Sequence, residues 1–140
     1  DLSMLHLKLT WNTLLHDHLR ILNQMKPVVL AGDLNVAHEC IDVALPLTNL
    51  GKSCFTREER DYFSKFLSLG FVDTYRHLYP SHRIYTYWPY YDRPSKLNGW
   101  RLDYFLISSQ LVSKLSDQEI HCDVDGSDHS PQILYLKSTK

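Results

Sequence analysis

A chain of 140 residues is long enough for one domain with its own core, since chains near 150 residues bury roughly 68–70% of their unfolded surface. Its 15 Lys+Arg against 16 Asp+Glu leave a formal net charge of -1, which excludes nucleic-acid binding through overall charge and leaves only a local patch for that purpose. There is no apolar run of about 18 residues to cross a bilayer, no basic segment ahead of an apolar one at the N-terminus, and no paired spacing among Cys40, Cys54 and Cys122; the expectation is an intracellular protein off the membrane, with reduced thiols.

In chain order, Leu14, Leu15, Leu19, Leu22 and Met25 follow Asn12 near helical spacing and stop before Pro27. This predicts an amphipathic helix with Asn12 as its N-cap. Residues 27–31 are a short β-branched apolar run ending at Gly32-Asp33, the pattern of a strand buried on both faces. A polar loop leads to Thr56-Arg57-Glu58-Glu59, a capping box, and Phe63, Phe66 and Leu67 carry an apolar face on to Gly70, predicting a second helix. Residues 84–88, 100–108, 119–124 and 133–136 read as strands, joined by a Pro/Asp loop, a short polar helix and the turn Gly126-Ser127-Asp128. The order is mixed α/β with hairpin-like strands late in the chain, and no repeat or linker divides residues 1–140.

Three places carry chemistry. Asp33 and Asn35 share one direction through their i, i+2 spacing, at the carboxyl end of a strand where α/β folds place ligands; the plainer reading is an Asx turn that closes the strand. From Trp100 onward, alternation puts Trp100, Leu102, Tyr104 and Leu106 on one face and Arg101, Asp103, Phe105 and Ile107 on the other. A carboxylate in so apolar a strand needs a partner, either the neighbouring Arg101 or the groups of a polar site. Asp128 and His129 sit in a turn before the last strand, where an imidazole serves to polarise or protonate a reacting oxygen near neutral pH, or simply decorates the surface. Together Asp33, Asn35, Asp103, Asp128 and His129 make a phosphoryl-transfer set without a covalent nucleophile, and hard oxygen ligands suit Mg²⁺ or Mn²⁺ better than zinc.

Five ordered blocks, Gly32-Asp33-Leu34-Asn35-Val36-Ala37-His38, Phe55-Thr56-Arg57-Glu58-Glu59-Arg60, Arg76-His77-Leu78-Tyr79-Pro80, Gly99-Trp100-Arg101-Leu102-Asp103-Tyr104-Phe105-Leu106 and Ser127-Asp128-His129-Ser130-Pro131, resemble the class II apurinic/apyrimidinic (AP) endonucleases of the exonuclease III family, within the endonuclease/exonuclease/phosphatase superfamily. The resemblance implies a DNase I-like four-layered α/β sandwich. This chain would supply its C-terminal half, a mixed and mostly antiparallel sheet with flanking helices. It implies metal-dependent hydrolysis of the phosphodiester 5′ of an abasic site in double-stranded DNA, with 3′-exonuclease or 3′-phosphodiesterase activity as a companion, in the nucleus, with mitochondrion and cytoplasm as further compartments.

Carried to matching positions, Asp33 and Asn35 would position and activate the attacking water, Asp103 would orient His129, and His129 would hydrogen-bond the scissile phosphate. Asp128, with Asp33, Asn35 and His129, would form the metal site for Mg²⁺ or Mn²⁺. Tyr87, Trp100 and Leu102 would line the apolar pocket for an extrahelical abasic sugar, and Asn49 and Arg93 would contact DNA. The family's first-strand asparagine, its metal-ligand glutamate and the tyrosine of its YxPN motif have no counterpart in residues 1–140, and Cys54 replaces a usual glycine. The isolated chain is therefore expected to be inactive, with Leu30, Trp100, Leu102 and Leu106 left uncovered by a missing N-terminal half. The alternatives are a truncated noncatalytic homologue acting as a binding or regulatory module, and another phosphodiesterase or phosphatase of the superfamily.

Overall fold

The computed structural model describes residues 2–92 and 94–138. Its first element, α1 (Leu5–Met25), starts well ahead of Asn12, and no side chain caps it at Met4. The predicted start fails because apolar residues recur on two sides of this helix. Leu15, Leu19 and Leu22 pack inward, whereas Leu7, Trp11, Leu14, Ile21 and Met25 remain exposed. Leu14 and Met25 thus leave the face on which the sequence grouped them.

After β1 (Val29–Asp33) come a short 3-10 turn, Cys40–Asp42, and the brief α2 (Pro46–Asn49). Helix α3 (Arg57–Ser68) begins at the predicted capping box: Thr56 accepts from the Glu59 amide and Glu59 reaches back to the Thr56 amide. Two short elements that periodicity does not reveal follow, β2 (Phe71–Asp73) and α4 (Thr74–Leu78). Asp73 caps α4 by accepting from the Arg76 amide at 3.2 Å.

The central strand is β3 (Asp103–Ser108), flanked by β1 and β2 in antiparallel pairs. The register sets Leu30 opposite Leu106 and Asp33 opposite Asp103. A 3-10 segment, Ser109–Lys114, leads to β4 (Leu115–Ile120), which pairs with β5 (Gln132–Leu136) in a second antiparallel sheet. The fourth strand thus lies at 115–120 rather than 119–124, because the chain turns at Cys122-Asp123, with the Val124 amide donating back to the His121 carbonyl at 3.4 Å. Residues 84–88 form no strand. Tyr87 makes isolated bridges to Trp100 and His129, while Pro89 has no N–H with which to extend the pairing. Residues 100–102 fall outside β3, whose pairing with β1 starts at Asp103 opposite Asp33, and Trp100 makes only isolated bridges.

Helices α1 and α3 cover one face of the first sheet. Leu19, Phe63, Phe66, Phe71, Tyr104 and Leu106 meet there, with Phe66 stacked on Phe71 at 4.6 Å between ring centroids. Each fully buried side chain of this kind contributes about 1.5–3 kcal/mol. The expected exposure of Leu102 and Leu106 is overturned: they are 4% and 0% exposed, and Leu30 and Trp100 are partly covered. The apolar side chains left open include Val29 on β1, Ile133, Tyr135 and Leu136 on β5, and the outer stripe of α1. Among the described residues no helix is long and apolar enough to cross a membrane.

Arg101 explains much of the remaining packing. Its guanidinium is 1% exposed and donates to Asp42 Oδ1 at 2.8 Å and to both Asp73 oxygens at 3.1 and 2.7 Å. Arg76 adds a donor to Asp42 Oδ1 at 2.6 Å. The cation facing Asp103 along the strand is therefore spent elsewhere, which settles one alternative left open by the sequence: Asp103 belongs to a different cluster.

Candidate active site

The end of β1 makes the first wall. Asp33 closes β1 and the chain bends two residues later at Asn35, φ 50°, where the Asn35 amide donates to Asp33 Oδ1 at 2.8 Å. The Asx turn foreseen as the plain reading is real. It does not use up the carboxylate, whose oxygens also lie near Asp103 and His129.

Asp103 is the second wall. Its Oδ2 accepts from Thr86 Oγ1 at 2.6 Å and pairs with His129 Nδ1 at 2.7 Å. Thr86, fully buried, takes the Leu102 and Asp103 amides on its hydroxyl oxygen at 2.9 and 3.1 Å, so its proton is directed to the carboxylate. A carboxylate at Nδ1 fixes the tautomer that carries its proton there, which leaves Nε2 to face a substrate. The turn bearing His129 is held in place by the segment before it. Ser130 N donates to the Thr86 carbonyl at 2.7 Å, Trp88 N to the Asp128 carbonyl at 3.2 Å, and the Tyr87 ring lies 4.9 Å from the His129 ring.

Ligand atoms of Asp33, Asp103 and His129 lie within 4.8 Å of one another. Burial pushes the Asp33 carboxyl above its ordinary range and the facing Asp103 adds to this, against the opposing pull of the Asn35 amide, His129 and Lys8. Two carboxylates and an imidazole without a thiolate fit a hard divalent cation. Asp33 is its natural first ligand, because Asp103 and His129 Nδ1 already satisfy each other.

The structure does not bring every sequence-predicted residue to this point. Asn35 stands exposed beside Asp33, while Asp128 is exposed and outside the three-residue cluster. Tyr87 and Trp100 form an aromatic edge next to His129, and Leu102 lies behind them in a core with Ala37, Val43 and Phe55. Leu102 is thus a support for the pocket rather than its open surface. Asn49 is 8% exposed and its Oδ1 accepts from Lys52 Nζ at 3.1 Å, which keeps it within its own loop. Arg93 lies outside the described residues.

Sequence reading missed Thr86 and Lys8, and took Glu59 only as half of the capping box. Thr86 read as an ordinary strand residue, and Lys8 fell before the predicted helix. Burial pushes the Glu59 carboxyl up, but hydrogen bonds from Lys8 and Thr56 outweigh it and hold the group below its ordinary range. Beside the site lies a cavity of about 360 Å³, with Lys8, Trp11, Asp33, Asn35, Cys54 and Glu59 in its wall.

This arrangement has close counterparts. "DNA repair nuclease APEX1" of Danio rerio is 46% identical over 129 residues, 91% of this chain and 42% of that protein. "Exodeoxyribonuclease" of Bacillus subtilis is 42% identical over 137 residues, 96% of this chain and 54% of that protein. An AP endonuclease structure from Archaeoglobus fulgidus superposes with a TM-score of 0.88 at 30% identity, covering 97% of this chain and 56% of the other. The chain thus spans about half the length of these relatives. Residues 4–129 match the family model directly, and the chain belongs to the Endonuclease/Exonuclease/phosphatase family.

Proposed function

We propose that the protein carrying this chain hydrolyses the phosphodiester 5′ of an abasic site in double-stranded DNA, with Mg²⁺ or Mn²⁺ as its cation. The observation that carries this reading is the Asp103–His129 pair set across from Asp33 in a half-open site of excess negative charge. Asp33 accepts a proton from the attacking water, and Asn35 orients that water. The water oxygen bonds to phosphorus as the bond from phosphorus to the 3′ oxygen breaks; the departing oxygen takes a proton from solvent water to end as a 3′-hydroxyl, and Asp33 returns its proton to solvent. In its doubly protonated form His129 donates from Nε2 to a phosphate oxygen while Asp103 accepts from Nδ1 and holds the ring. Asp33 would hold the cation, with Asn35 and Asp128 at the rim, and it would neutralise charge developing on the phosphate. Tyr87 and Trp100 offer an apolar edge to a sugar that has no base, and a full nucleotide is excluded by size.

The test uses the longest natural protein that contains residues 1–140, on a duplex with a tetrahydrofuran abasic analogue. Incision in Mg²⁺ that is lost with EDTA is the expected result, and intact duplex is left uncut. Folded protein that binds the duplex without cutting it would replace this reading with that of a noncatalytic binding module. Residues 1–140 alone are expected to give no incision, because the family's metal-anchoring glutamate has no counterpart in them and Mg²⁺ demands near-ideal octahedral coordination.

A further inference from the structure

Three contacts converge on Asn35. Its backbone is left-handed, φ 50°, a conformation that asparagine takes more readily than other residues with a Cβ. Its amide donates to Asp33 Oδ1, its Oδ1 accepts from the Cys54 thiol at 3.8 Å, and its carbonyl accepts from Lys8 Nζ. Lys8 belongs to α1, in another layer of the fold.

The same ammonium meets Glu59 Oε1 at 2.6 Å. Glu59 is 2% exposed and also takes the Cys54 amide on Oε1 at 3.2 Å, with the Thr56 amide and hydroxyl on Oε2 at 3.0 and 2.7 Å. Cys54 in turn has φ 68°, and its carbonyl accepts from the Ala37 amide at 2.8 Å. One carboxylate therefore gathers the start of α3, the 54 loop and, through Lys8, the loop that carries Asp33 and Asn35.

Capping does not explain Lys8. The Thr56–Glu59 box is complete without it, and a buried ion pair returns little net stability once its desolvation is counted. What Lys8 adds is a second attachment, at the Asn35 carbonyl. We propose that the Lys8–Glu59 pair is a positioning device. Lys8, held in place by Glu59, fixes the Asn35 carbonyl and with it the direction of the Asn35 side chain and the neighbouring Asp33 carboxylate. Lys8 touches neither substrate nor reacting atoms in this role, which rests on the nuclease reading above.

Misplacement of catalytic groups by about 1 Å costs on the order of a hundredfold in rate. In the longest natural protein containing this chain, assayed in Mg²⁺ on the tetrahydrofuran duplex, Lys8→Met is expected to lower the single-turnover rate by about tenfold to a hundredfold while the duplex Kd stays within about threefold. Lys8→Arg restores most of the rate. Glu59→Gln reproduces the loss, and the double variant is no worse than either single one. Lys26→Met, which removes the same charge from the exposed end of α1, leaves the rate unchanged. A Lys8→Met protein that keeps its rate, or that loses duplex affinity instead, overturns the proposal. Amide hydrogen exchange gives a readout free of activity: Lys8→Met speeds exchange at Asn35 and Cys54 but not in β3. Unchanged exchange at Asn35 overturns the positioning role. A wild-type protein that cuts no abasic duplex sinks the nuclease reading, while the exchange data still decide whether Lys8 restrains the loop.

Discussion

Arg101 and Asp103 are two positions apart, yet each enters a charged cluster built on the opposite plan. Around Arg101, two guanidiniums face two carboxylates, and the Arg101, Asp42 and Asp73 side chains are 1%, 0% and 5% exposed. Around Asp103, two carboxylates share one imidazole, and the Asp103 and His129 side chains keep 16% and 30% of their surface in solvent. A buried cluster with balanced charge supplies its own partners, so it serves the fold. A half-open cluster with excess negative charge has the groups and the opening to take a cation from outside, so it suits a ligand. The difference lies in where each strand neighbour finds its partner, 59 residues away for Arg101 and Asp42, and 26 residues away for Asp103 and His129.

The comparison breaks most visibly at Arg101. Arg101→Leu leaves Asp42 and Asp73 buried with too few donors, and denaturant unfolding is expected to show a loss on the order of 3–5 kcal/mol. A loss below about 1 kcal/mol would place this cluster with exposed ion pairs instead. In the site cluster the effect should move from stability to rate. Asp33→Asn and His129→Asn are expected to slow incision at least about a hundredfold in the full-length protein, with the duplex Kd little changed. Asp33→Asn should leave the melting temperature level or slightly raised, since it removes one of two facing carboxylates. Near-wild-type single-turnover rates in either variant would remove that residue from the mechanism.

The smallest effect sharpens the contrast among histidines. His129 has a carboxylate at Nδ1, whereas burial lowers the proton affinity of His16 and of His38, helped by Lys65 at His16 and opposed by Glu39 at His38. The unfolded chain then binds more protons than the folded one below the ordinary value of 6.5, so stability falls as pH drops through that value toward the lowered ones. Thermal melts between neutral and mildly acidic pH should show a decline of a few degrees, flattened by His16→Gln or His38→Gln. An unchanged slope in both variants would assign the decline to other groups.

Much of this was legible before any coordinates. The Thr56–Glu59 box appears as read, because both halves of that signal lie within one turn of chain. The strand ending at Asp33 and the grouping of Asp33, Asp103 and His129 also emerge, since local apolar runs and the ordered family blocks specify them. The strand is not buried on both faces as its apolar run suggested, however: Val29, Ala31, Gly32 and Asp33 are exposed. What could not be read depends on distance. β2 and α4 are too short to show a period, and α1 has apolar residues on two sides, which blurs its start. The partner of Arg101, the support from Thr86 and the reach of Lys8 to Asn35 are set by tertiary packing. Asn49 offered only a residue type at a family position; it ends α2 with its Oδ1 accepting from Lys52.

The register that sets Asp33 directly opposite Asp103 also couples folding to the surrounding medium. Like charges facing each other across a sheet are unfavourable, and the folded chain bears this repulsion where an unfolded chain does not. Any counter-ion held only by the folded form shifts the equilibrium by mass action, by about 2.7 kcal/mol at a concentration one hundred times its dissociation constant. A cation bound at this sheet end would make conformational stability a function of ionic supply, and its depletion would loosen the molecule where the proposed chemistry sits.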